Sequence, residues 1–184
     1  QADADPASPL YRVSDPERMG VVGHSLGGLV GLYAGVGLCA GELCDTDYQR
    51  PEALQAAALY GTNLVAEDGA VADLDTTAFP VALLQGSLDG VALPAEAEQT
   101  YPMLEAPRAL ITIEGANHFG ICDVNHPAGA LPDPSTATLE QAQAIRYIAR
   151  WTAVWLRAHL KDDVVARDWL ENIGGSLDGL VRVE

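Results

Sequence analysis

The sequence predicts an α/β fold, a parallel sheet with helices on both faces. Three observations predict it. Short apolar runs of strand length occur at residues 19–23, 54–60, 80–85 and 109–114, and the last three are each followed directly by glycine. Segments with helical spacing alternate with these runs. The runs are close to continuously apolar, the pattern of strands buried on both faces under crossover helices.

Each element can be justified in order. Residues 1–18 are polar and carry Pro6, Pro9 and Pro16, which predicts an extended lead-in. The stretch 21–41, VVGHSLGGLVGLYAGVGLCAG, is 21 residues without a formal charge when His24 is neutral, close to the length of about 20 that a membrane span needs. Its seven glycines and its adjacent His24 and Ser25, which a lipid-facing helix would bury unpaired, argue against a span. The stretch reads instead as a strand that breaks at His24-Ser25 and a helix with spacing from Leu29 through Leu32, Tyr33 and Val36.

Residues 39–51 read as loop, 54–60 as a run ended by Gly61, and 67–77 as acidic loop. The strand at 80–85 closes on Gly86, 94–104 reads as helical, and the strand at 109–114 closes on Gly115. A long loop, 119–134, leads to Thr138-Leu139-Glu140-Gln141, whose Thr-x-x-Gln spacing predicts a capping box. The helix it opens is expected to run to about residue 160, burying Leu139, Ile145, Ile148 and Trp155, with Trp151 a further candidate. Residues 163–172 predict a last short helix stopped by Gly174-Gly175. There is no internal repeat or low-complexity tract.

The chain has 184 residues, enough for one domain that buries about 70% of the surface its unfolded form exposes. Ten basic residues against 26 acidic ones leave a net charge of −16, and Lys161 is the only lysine. That balance disfavours nucleic acid and anionic membranes as partners. It describes a solvated acidic surface, and halophilic adaptation fits it equally. No charged segment followed by an apolar one opens the chain as a signal peptide would, while residue 1 is Gln, which suggests that something upstream is removed or lies outside this sequence. Cys39, Cys44 and Cys122 are too few for a disulfide scaffold. Cys39 and Cys44 are close enough to close a small loop in an oxidising compartment, leaving Cys122 over, and the reading leans to export.

The chemistry centres on Gly23-His24-Ser25-Leu26-Gly27, a G-x-S-x-G between a predicted strand and a predicted helix. Such a turn is so tight that side chains two residues either side of the serine would collide, and Gly23 and Gly27 are expected to relieve this. The turn projects the Ser25 hydroxyl above the strand ends at a helix N-terminus, whose N–H groups favour developing negative charge. His24 and Gly28 complete this turn segment. Gly27, Gly31 and Gly35 recur every four residues and predict a smooth helix face against the sheet.

Asp89 follows the strand at 80–85 and His118 the strand at 109–114, where open α/β sheets place their ligands. The order Ser25, Asp89, His118 is the nucleophile, acid, base order of a serine triad. The backbone N–H of Leu26, after the nucleophile, is the expected oxyanion donor. Gly61, Thr62, Val91 and Phe119 lie beside predicted strand ends as candidate pocket residues, with turn and packing roles as the plainer alternative. His118, Cys122, Asp123 and His126 cluster in sequence but match no standard zinc spacing, so neither a metal nor another cofactor is expected.

The segments GHSLGG, GSLDGVA and GANHFG resemble the nucleophile, acid and histidine segments of the α/β-hydrolase superfamily. Their details resemble its dienelactone hydrolase, platelet-activating-factor acetylhydrolase and polyester hydrolase-like branch, and Asp15-Pro16-Glu17-Arg18 strengthens the likeness, which covers roughly residues 15–160. The resemblance implies a serine esterase, lipase-like in its elbow, that cleaves a small-molecule or polymeric carboxylic ester. It divides the single domain into the lead-in 1–18, a catalytic core 19–160 and a C-terminal helix and tail 161–184.

In that superfamily the serine strand is normally the fifth of about eight, yet 24 residues precede Ser25. The resemblance thus implies an α/β-hydrolase sheet lacking its first four strands and its second oxyanion donor, with an N-terminal fragment or second chain completing the fold. Two alternatives accompany it: a catalytically incomplete fragment that binds such a complement, and a thioester or amide hydrolase on the same fold.

Overall fold

The computed structural model describes residues 5–9, 11, 15–39 and 48–184; Cys44 and part of the lead-in lie outside them. Five strands form one sheet in chain order: β1 (Met19–His24), β2 (Leu54–Tyr60), β3 (Val81–Gly86), β4 (Arg108–Ile113) and β5 (Val181–Val183). The first four are parallel and β5 runs antiparallel to β4. This is the α/β architecture that the apolar runs predict.

Successive strand residues point to opposite faces, and here both faces are apolar. Ala57, Leu59, Val81 and Leu83 pack on one side with Leu32 of α1 (Leu26–Gly35) and Ala97 of α2 (Pro94–Thr100). Ala58, Tyr60, Ala82, Leu84 and Ile111 pack on the other with Ile148, Trp151 and Trp155 of α3 (Gln141–Leu160). The segment at 94–104 is a shorter helix than its spacing suggests, because α2 passes into a 3₁₀ turn at Tyr101–Met103.

The smooth face of α1 differs from the expected one. Gly28, Gly31 and Gly35 are buried, whereas Gly27 is exposed. A Cβ added at Gly28 would lie 1.9 Å from Thr62 Oγ1, and one at Gly35 would lie 1.9 Å from the Phe79 ring; one at Gly27 meets nothing within 4 Å. One helical residue is about 100° of rotation, so Gly27 and Gly28 cannot both face the sheet.

The capping box at Thr138 does not form. Glu140 caps α3, its carboxylate accepting from the N–H groups of Ala142 at 3.1 Å and Gln143 at 3.0 Å. Gln141 instead donates through Nε2 to the carbonyls of Phe119 at 2.9 Å and Cys122 at 2.6 Å, satisfying the long loop rather than the helix end. Along α3, Trp151 is fully buried and Ile145 only half-buried.

The C-terminal segment also departs from expectation. Asp163 caps α4 (Val164–Asp168), a π-helical turn follows at Trp169–Ile173, and Gly174 begins a short α5 (Gly174–Leu177) instead of ending a helix. The chain then returns as β5, pairing Val181 with Ile113 and Val183 with Ile111.

The sheet is unequal across its width. β3 is buried along its whole length, while β1 is the outer strand and carries Met19 at 41% and Val22 at 51% exposure. A parallel strand open on its outer edge presents unpaired backbone N–H and C=O groups. Cys39 is disulfide-bonded and Cys122 is a free thiol. Among the described residues no helix is long and apolar enough to cross a membrane.

Candidate functional site

β1, β3 and β4 end at the same edge of the sheet, and the turns that leave them carry Ser25, Asp89 and His118. Ser25 sits between the last residue of β1 and the first of α1 with φ 54° and ψ −128°. Positive φ at a non-glycine residue costs on the order of 1–3 kcal/mol, so the surroundings must impose it. They do so through every backbone group of the residue. The Ser25 N–H donates to the Tyr60 carbonyl at 3.0 Å. Its carbonyl accepts from Thr62 Oγ1 at 3.0 Å, and from the Gly28 and Leu29 N–H groups at 2.9 and 3.1 Å.

Gly23 is required from inside the turn, since a Cβ there would lie 2.5 Å from Gly28 Cα. Gly28, which gives Thr62 room to reach the Ser25 carbonyl, is the second glycine the turn requires; a Cβ at Gly27 would point into open space, contrary to the expectation from the motif. The Leu26 N–H lies in the first turn of α1, where helix N–H groups have no intrahelical acceptor.

Asp89 and His118 form a buried pair, 2% and 3% exposed. His118 Nδ1 lies 2.9 Å from Asp89 Oδ2 and 3.1 Å from Oδ1. A carboxylate oxygen accepts here, so Nδ1 carries a proton, and in the neutral imidazole Nε2 is then the acceptor. The Val91 and Ala92 N–H groups donate to Asp89 Oδ1 at 2.9 and 2.8 Å, offsetting the cost of burying its charge. Gly61 lies directly beneath: it has φ 57°, and a Cβ there would stand 2.9 Å from Asp89 Oδ2 and 3.0 Å from His118 Nδ1.

The backbone around His118 is held from several segments. Tyr60 Oη donates to the Asn117 carbonyl at 2.6 Å, and the Asn117 side chain accepts the Phe119 N–H at 3.2 Å. His24 lies 2.8 Å from the His118 carbonyl through Nε2, and a carbonyl cannot donate, so His24 Nε2 is protonated and donates. The two imidazoles are 4.6 Å apart between centroids. Burial first, and then the neighbouring His118, pushes the His24 pKa below its ordinary value. The His118 N–H is taken by Asp133, a residue that carried no signal in the sequence reading.

The structure thus joins Asp89 to His118 directly and brings the Ser25 turn beside them through His24, Tyr60 and Thr62. No hydrogen bond links Ser25 Oγ to His118 among the described residues; such contacts often tighten only when a substrate is bound. Among the candidate pocket residues, Gly61 and Thr62 are buried under the pair and the serine turn, and Phe119 packs edge-on to His118 at 5.4 Å. Val91 is 49% exposed. A cavity of about 690 Å³ lined by Tyr101, Arg108, Trp155 and His159 lies at the opposite end of β4, away from this chemistry.

Among the described residues no group of three or more His, Cys, Asp or Glu side chains is arranged to hold a metal ion, and His126 Nε2 is engaged with the Ala130 carbonyl at 3.2 Å. No family model matches the chain, and no curated protein does. The chemical reading therefore stands on the geometry: a serine on a strained turn at a helix N-terminus, beside an imidazole whose tautomer is set by a buried carboxylate. That set of groups can activate a hydroxyl toward an electrophilic carbonyl carbon.

Proposed function

We propose that the chain is a serine hydrolase of carboxylic esters on an α/β-hydrolase-type sheet, in the branch that holds dienelactone hydrolases, platelet-activating-factor acetylhydrolases and polyester hydrolases. The observation that carries this is Ser25 at φ 54° between a parallel strand and a helix N-terminus. A non-glycine residue is kept in that conformation only where its neighbours over-determine it, and such strain clusters at functional sites.

In this reading Ser25 Oγ attacks the ester carbonyl carbon while His118 Nε2 takes its proton, and Asp89 stabilises the imidazolium that forms. His118 then protonates the departing alcohol and afterwards deprotonates the water that attacks the acyl-enzyme. The Leu26 N–H stabilises the oxyanion, a donor whose loss costs about 10²–10³ in turnover in other serine enzymes. No second donor from another segment is assigned.

A second reading is favoured by the edge of β1, open among the described residues, and by Leu26, 71% exposed beside the nucleophile. Here the site is complete only when a further chain segment pairs with β1, covers Leu26 and adds the second oxyanion donor. A fluorophosphonate probe followed by intact-mass measurement separates the two. The first reading expects one adduct on the 19.4 kDa chain that is lost in Ser25→Ala. An adduct that survives Ser25→Ala overturns both. No adduct on the folded chain favours the second.

A further inference from the structure

The turns that carry Asp89 and His118 share one anchor, and it belongs to neither strand. Asp133 lies near the end of the loop that leads to α3. Its Oδ2 accepts the His118 backbone N–H at 2.8 Å. Its Oδ1 accepts the Gly90 N–H at 3.1 Å and the Ser135 N–H at 2.7 Å, and the Gly90 N–H also lies 3.4 Å from Oδ2. Gly90 follows Asp89 directly, so one carboxylate ties the backbone of the acid turn to the backbone of the base itself.

The approach depends on residue 90 being glycine: a Cβ there would lie 2.6 Å from Asp133 Oδ1 and 2.6 Å from Ser135 Oγ. Ser135 is fixed in turn, its carbonyl accepting from Asn117 Nδ2 at 3.2 Å. An ionised carboxylate is the fitting group here. It offers two acceptor oxygens and no donor to three backbone N–H groups, and its hydrogen bonds are roughly twice as strong as neutral ones. An amide at the same place has one acceptor oxygen, and its NH₂ would face an N–H.

We infer that Asp133 is a positioning residue for the proposed triad: it sets the spacing and orientation of Asp89 and His118 through their backbones while touching no substrate. The geometric part stands independently; the effect on catalysis rests on the serine-hydrolase reading. Displacing a reacting group by about 1 Å costs on the order of 10² in rate, so the loss of this tie is expected to register.

The test compares wild type with Asp133→Asn, Gly90→Ala and the double variant, all with Ser25, Asp89 and His118 intact. Three quantities are read: the low-field His118 Nδ1–H proton resonance, the rate of acylation by a fluorophosphonate, and the thermal midpoint. Each single variant is expected to shift or broaden the resonance and to slow acylation about 10- to 100-fold. The double variant should be no worse than the worse single, because both break one contact. Gly90→Ala leaves the carboxylate in place and decides the matter if Asp133→Asn does not fold.

A lowered midpoint with resonance and acylation unchanged in the folded chain overturns the inference and leaves Asp133 as a loop anchor only. Should wild type take no adduct while Asp133→Asn still moves the resonance, the first reading, of a chain that acts as a hydrolase by itself, fails and the positioning role stands. Wild-type acylation in all three variants has the opposite meaning.

Discussion

Asp89 and His118 leave strands that have a partner on either side, and both residues are almost fully buried. Ser25 leaves β1, whose outer edge has no strand partner among the described residues, and its neighbour Leu26 is 71% exposed. The backbone around the acid and base is gripped by Tyr60, His24 and Asp133. Among the described residues the serine turn is gripped from its inner side, by Thr62 and the Tyr60 carbonyl. The two halves are pre-organised differently. Hydrogen bonds from several segments hold the buried half, while hydrogen bonds from Tyr60 and Thr62 and close packing at Gly23 and Gly28 impose the strained conformation of the open half.

The largest effect is expected where the two halves meet. Gly61→Ala would place a methyl group against both Asp89 and His118 and force an L side chain to φ 57°. Acylation by the serine probe should fall by about 10² or more, from misplacement of the pair, with a loss of about 1–3 kcal/mol in stability from the backbone strain. Retained acylation in a folded Gly61→Ala chain would show that the pair tolerates displacement, and the contrast with the serine turn would lose its basis.

A smaller effect separates the inner and outer sides of the serine turn. Gly28→Ala should cost about 1–3 kcal/mol in urea unfolding, because the methyl group runs into Thr62. Gly27→Ala should be neutral or stabilise by up to about 1 kcal/mol, since a helical glycine is replaced at an open position. Equal penalties for the two would mean that the outer side of the turn is packed in solution, against a segment paired with β1.

The smallest effect is in pH dependence. Burial pushes His24 and His159 below their ordinary value of 6.5, with His118 and Arg167 as the next contributors. Above that value both are neutral in the folded and unfolded chains, and their neutral burial carries no penalty. As the pH falls below 6.5, the unfolded chain takes up protons before the folded one, so stability falls with acidification. The thermal midpoint should therefore decline from about pH 7 to about pH 5, less steeply in His24→Gln, which keeps a donor for the His118 carbonyl. An unchanged slope in that variant would remove His24 as a contributor.

Much of this molecule was legible from local pattern. The four parallel strands announce themselves as apolar runs closed by turns, because strand burial and glycine chemistry are decided within a few residues. The serine turn and the Ser25, Asp89, His118 order were legible for the same reason: a turn between strand and helix has short-range steric demands. Local pattern misled where two neighbouring residues offered the same chemistry. Gly27 and Gly28 are equivalent in sequence, and only the direction of α1 on the sheet decides which is needed. Thr138 is the better cap by residue type, but the carbonyls of Phe119 and Cys122 claim the Gln141 side chain that its capping box needs, and Glu140 caps the helix instead.

The sequence by itself determined the α/β class, the positions of the four parallel strands and the three residues of the proposed triad, since each follows from periodicity, turn sterics or chain order. The tertiary structure decided what holds them. His24 reaches His118 across 94 residues, Asp133 reaches Gly90 across 43, and Tyr60 reaches Asn117 across 57. It also added β5, three residues whose worth as a strand exists only beside β4. Contacts at such separations leave no periodic trace, because a loop carboxylate or a strand tyrosine acquires its partner only when the sheet brings distant turns to one edge.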